Sequence, residues 1–122
     1  MGDLTPRERL RRRADHGFQG YPVGTVAFYG PDDRRATKVA VGIVHREGGR
    51  VGEMEKWLSD VSDVRTDDEI IGQFLKFLQR HRVKTVVVGP GILGCPHEEG
   101  IDYPEGDACP RCPFWAGRPR PI

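Results

Sequence analysis

Residues 66–89 read TDDEIIGQFLKFLQRHRVKTVVVG, and the change of period inside this stretch decides the fold. Thr66 is placed to cap a helix, with Glu69 three residues on to complete a capping box. Asp67 and Asp68 suit the positive end of the helix dipole. Ile70, Ile71, Phe74, Leu75, Phe77 and Leu78 recur at helical spacing and make one broad apolar stripe. The basic turn QRHRV suits a helix C-terminus, so the helix is predicted over residues 66–82, with His81 in its cap. KTVVVG then runs apolar without alternation, the pattern of a buried strand, and GPGILG ends it. A strand, a helix and a second strand in succession pack as parallel strands joined by a right-handed crossover.

Upstream, VGTVAFYG and ATKVAVGIV are rich in β-branched and aromatic residues and are separated by the turn formers of GPDDRR. Residues 23–29 and 36–44 therefore pair as an antiparallel hairpin, with Val39, Val41 and Ile43 on one face and Val26 and Phe28 opposite. HREGGRVG, residues 45–52, reads as a polar loop. EMEKWLSDV reads as a short helix carrying Trp57 and Leu58 into the core. The class is α+β with an α/β-like core: a small mixed sheet of three strands, a hairpin followed by β-α-β, under one main amphipathic helix. The expected organisation is a basic N-terminal arm or helix (1–20), the core (21–93) and a C-terminal segment packed on it (94–122).

The N-terminal part starts a helix at Thr5-Pro6-Arg7-Glu8, with Thr5 as cap and Glu8 reaching back. Arg7, Arg9, Arg11, Arg12 and Arg13 invite a nucleic-acid reading, together with Arg118 and Arg120 near the other end. No aromatic residue interleaves the arginines to stack on bases, and a solvated or frayed terminal arm is the favoured reading of them. The whole chain of 122 residues has a net charge of only +1, so it is no general polyanion binder. It contains no apolar run long enough to span a bilayer, and MGDLTPRERLRRR lacks the apolar stretch of a secretory signal. A cytoplasmic location is expected. There thiols stay reduced, and clustered cysteines are ligands or catalysts more often than disulfides.

All three cysteines fall in GCPHEEGIDYPEGDACPRCPFW, from residue 94. Cys95-x-His97 and Cys109-x-x-Cys112 offer four soft or borderline donors, the set that tetrahedral zinc takes. The tight Cys109–Cys112 spacer turns both thiolates toward one ion, and Gly100, Pro104 and Gly106 let the intervening chain bring the pairs together. One Zn²⁺ ion is the expected cofactor. A redox CxxC would open a helix, which PFWAGRPRPI after Cys112 cannot readily do. Phe114 and Trp115 are expected to cover the site or join it to the sheet, or else to anchor a partner.

The alternative is a zinc-dependent hydrolase or deaminase-like enzyme with Glu98 or Glu99 as general base. Zinc deaminases use H-x-E and P-C-x-x-C, but they need a helix and a strand between the motifs. The residues between His97 and Cys109 hold neither, and Ala108 stands where that motif has proline. Four protein ligands also leave no position for water, and three thiolates weaken the ion as a Lewis acid. The reading therefore favours a structural site and leans away from an enzyme.

GCPHEEGIDYPEGDACPRCPFWAGR resembles the ending of a family of small uncharacterised bacterial proteins that share a CPHEEGxDYP…CPxCPFW pattern, with a zinc-knuckle-like C-terminus. GYPVGTVAFYGPDDRRATKVAVGIV is similar to the same group. The resemblance implies Cys95, His97, Cys109 and Cys112 as metal ligands and implies no reaction. The expected function is a small zinc-binding protein with a structural Cys₃His site and a binding or regulatory role toward a protein partner or nucleic acid.

Overall fold

A computed structural model describes residues 4–117. Arg118 and Arg120 lie outside the described residues. The elements run α1 (Pro6–Asp15), β1 (Val23–Tyr29), β2 (Lys38–Val44), β3 (Val51–Leu58), α2 (Asp68–Arg80) and β4 (Thr85–Ile92), followed by a short 3₁₀ turn at Pro113–Trp115. The fold is α+β. Four strands form one mixed sheet in the order β3-β2-β1-β4, with β1 antiparallel to β2 and parallel to β4.

The hairpin has the expected register, with Val26 opposite Val41 and Phe28 opposite Val39. Those side chains, with Ile43 and Val86, form the face that α2 covers through Ile71, Phe74, Phe77 and Leu78; all are buried. Burying each such side chain contributes about 1.5–3 kcal/mol, which makes this layer the main source of stability. Leu78 of α2 packs directly over Gly24 of β1, where a Cβ would collide with the Leu78 side chain and press on Val83. Glycine admits that packing without displacing either.

Several expectations change. The sheet has four strands where three were expected: the segment EMEKWL belongs to the additional strand β3 and not to a helix, because the outer edge of β2 needs hydrogen-bond partners and β3 supplies them. Its charged residues suit an edge strand, where they discourage further pairing. Trp57 still reaches the core, 5.9 Å from Phe74 and 6.1 Å from Phe77 between ring centres, whereas Leu58 points away and is 69% exposed. In addition, β4 continues past Val88 to Ile92, and Val87 is 51% exposed. The sheet carries helices on one face only, so a strand apolar on both faces is not buried on both. Pro90 is tolerated because β4 is an edge.

Thr66 does not cap α2. Its hydroxyl donates to the Asp63 carbonyl, 3.2 Å, and Asp67 takes the cap, its Oδ1 accepting from the Glu69 and Ile70 amides at 3.1 Å each. His81 is the C-cap, as expected, and its Nδ1 lies 3.6 Å from Glu53 on β3. The N-terminal stretch is a helix with the Thr5–Glu8 capping box in place. It packs on α2 and β4 through Leu10, and Arg13 Nη2 donates to the Val83 carbonyl at 2.8 Å. Among the described residues, no helix is long and apolar enough to cross a membrane.

Candidate metal centre

After β4 the chain folds back under the turn between β1 and β2. Three bonds fasten it there. Gly30 N donates to the Gly94 carbonyl at 2.9 Å, Lys38 Nζ to the Pro96 carbonyl at 2.9 Å, and Trp115 Nε1 to the Gly30 carbonyl at 2.8 Å. Trp115 therefore joins the segment to the sheet, as expected, and packs against both the main core and a second cluster of Cys95, Tyr103, Cys109 and Cys112.

The acidic loop between the ligand pairs is knitted by its own carboxylates. Asp102 Oδ2 accepts from the Glu98 amide and Glu99 Oε2 from the Gly106 amide, both at 2.7 Å. Gly106 sits at φ 89°, a left-handed conformation that favours glycine. These contacts return the chain to Cys109, where a tight turn (Cys112 N to the Cys109 carbonyl, 3.3 Å) aims two sulfurs the same way.

All four expected donors meet. One donor atom each from Cys95, His97, Cys109 and Cys112 lies within 4.8 Å of the others, and the three cysteines are buried and unpaired. His97 Nδ1 is 3.3, 3.4 and 3.5 Å from the sulfurs of Cys95, Cys109 and Cys112. One ring nitrogen has a single in-plane proton or lone pair and cannot hydrogen-bond three sulfurs at once. The bond lengths of tetrahedral zinc, about 2.3 Å to sulfur and about 2.0 Å to nitrogen, imply nitrogen–sulfur edges of about 3.5 Å. The three nitrogen–sulfur distances match those edges, and the cluster is compatible with one metal ion.

The protonation chemistry points the same way. Burial pushes the Cys95 thiol up, against the His97 amide that donates to its sulfur. Burial also pushes the Cys112 thiol up, and the sulfurs of Cys95 and Cys109 add to the effect. At Cys109 burial acts in the same sense but is outweighed by the Arg111 amide and the neighbouring thiols, so this thiol falls below its ordinary range. Without a cation, burial and the neighbouring sulfurs oppose ionisation of Cys95 and Cys112. A dication accepts all three thiolates and releases their protons.

Neither proposed general base is free. Glu98 Oε1 is bound by Lys56 and lies 3.7 Å from Lys38 Nζ. The Lys56 hydrogen bond and the charge of both lysines hold Glu98 below the usual carboxylate range, which makes it a weak base. Glu99 is committed to Gly106. Lys38 and Lys56 were not legible as site residues, because they stand on β2 and β3 and meet residues 96–98 only in the fold. With Tyr29, Met54, His97 and Glu98 they line a cleft of about 340 Å³ between the sheet and the metal loop.

Comparison with family models, with curated proteins and with solved structures finds no match to this chain.

Proposed function

We propose that Cys95, His97, Cys109 and Cys112 hold one structural zinc ion, and that the ion staples residues 94–117 to the sheet of a small binding protein. The observation that carries this reading is the convergence of three buried sulfurs on one histidine nitrogen at tetrahedral edge lengths. Four protein donors complete the coordination of zinc and leave no position for water. The donor set favours zinc over the hard cations, which take oxygen ligands. The commitment of Glu98 and Glu99 to lysines and to a backbone amide supports a structural role over hydrolysis or deamination. The likeness of this segment to the CPHEEGxDYP…CPxCPFW proteins belongs to the same proposal.

Cobalt(II) substitution tests it. A thiolate-rich tetrahedral spectrum that azide leaves unchanged is the expected result. A spectrum that azide shifts means an open coordination position, and the staple is then the wrong reading.

A further inference from the structure

The helix α1 face has chemistry that the metal centre does not use. Spacing of i, i+3, i+4 and i+7 sets Arg9, Arg12, Arg13 and His16 in one row along the helix. Arg7, Arg9, Arg11 and Arg12 are exposed, and among the described residues none of them has an ion pair. Arg13 is tied to the Val83 carbonyl, whose chain neighbours Arg82 and Lys84 are both exposed. The side chain of Lys84 also lies against Gly20, 3.5 Å from where a Cβ would stand.

Residues 4–22 with Arg82 and Lys84 hold seven cationic side chains against Glu8 and Asp15, with Asp68 and Glu69 of α2 lining a cleft beside Arg9, in a chain whose net charge is +1. Glu8 is already taken by the Thr5 cap. Two residues beyond His16, the C-cap, comes Phe18, a large aromatic that is 65% exposed and stands edge-on to Tyr21 at 5.4 Å. An open aromatic surface therefore follows directly on the C-cap of the arginine helix, although none interleaves the arginines in sequence.

We propose that this face binds single-stranded nucleic acid, with the arginine row and Lys84 on phosphates and Phe18 stacked on a base. The unpaired cations call for a polyanion, and an exposed ring just beyond the helix C-cap suits an unstacked base. A bilayer is the poorer occupant, because the apolar residue of α1, Leu10, is buried in the core and leaves no apolar helix face to insert. The proposal does not rest on the metal centre.

Fluorescence anisotropy of the metal-loaded protein with a labelled oligothymidylate and a labelled oligouridylate provides the test. Four phosphate contacts give a slope of about −3 in log K against log salt, a loss of about 50-fold between about 50 and about 200 mM. Phe18→Ala is expected to weaken binding about tenfold. The pair Arg9→Glu and Arg12→Glu is expected to abolish it at the higher salt. All three positions are exposed, and an unchanged melting temperature confirms that each variant folds. No binding at about 50 mM salt overturns the proposal. So does binding that both variants retain, or uptake by phosphatidylserine vesicles with none of the oligonucleotides.

Discussion

Replacing Cys112 with serine removes the most enclosed of the four donors. Cys112 is 1% exposed, and its sulfur stands 3.5 Å from His97 Nδ1. A serine hydroxyl stays protonated there and cannot replace a thiolate ligand. Structural zinc binds with about 10–16 kcal/mol, and about 12 kcal/mol corresponds to a dissociation constant near 1 nM. With free zinc at about 1,000 times that value, linkage adds about 4 kcal/mol to the folded state. In a chain of this size each kcal/mol moves Tm by about 3–5 °C, so losing the ion lowers Tm by about 12–20 °C. Calorimetry of the wild type and of Cys112→Ser, each with zinc and with EDTA, separates metal loss from a packing defect. The wild type should fall by that amount on chelation. The variant should melt near the chelated wild type and ignore EDTA. A wild type that ignores EDTA, or a Cys112→Ser protein as stable as the wild type, would refute the staple.

Further consequences follow from the fold. Asp67→Ala should cost about 1 kcal/mol in urea denaturation and Thr66→Ala distinctly less, since Asp67 caps α2; the reverse order would restore Thr66 as cap. Gly24→Ala should cost about 1–3 kcal/mol, because its methyl group must displace Leu78 and Val83; an unchanged midpoint would mean that α2 sits further from the sheet. Burial raises Asp63, but hydrogen bonds from the Arg65 side chain and amide outweigh it, so its folded pKa lies below 3.8. A depressed carboxyl contributes stability that is present above the unfolded value and is lost as pH falls through the folded one. Asp63→Asn should therefore flatten the decline in stability below about pH 3.8, and an identical acid limb in both proteins would contradict the pairing.

The parts of the fold legible in the sequence are those with a strong local period. The stripe from Ile70 to Leu78 faces the core as expected, and the alternation of Val39, Val41 and Ile43 sets the hairpin register. The convergence of Cys95, His97, Cys109 and Cys112 was legible too, because thiols and imidazole in that spacing have few other uses in one short segment. Residues 53–58 were not. Glu, Met, Lys and Leu are good helix formers, and only the unpaired edge of β2 makes a strand of them. The alternatives for Glu98 were likewise open in the sequence, since a carboxylate beside a metal ligand reads as a base until its partners are known.

By itself, then, the sequence determined the amphipathic helix, the hairpin, the capped basic helix at Pro6 and the four residues of the candidate metal cluster. Each is a matter of local spacing or of side-chain chemistry. Tertiary structure alone decided the fourth strand, the half-exposed β4, the pairing of Glu98 with Lys38 and Lys56, and the Trp115 bond that ties the metal loop to the β1–β2 turn. All of these join residues far apart along the chain, 85 positions in the case of Trp115 and Gly30. Their partners are chosen by which backbone edges and charges remain unsatisfied once the helix and hairpin have packed, and no local pattern records that.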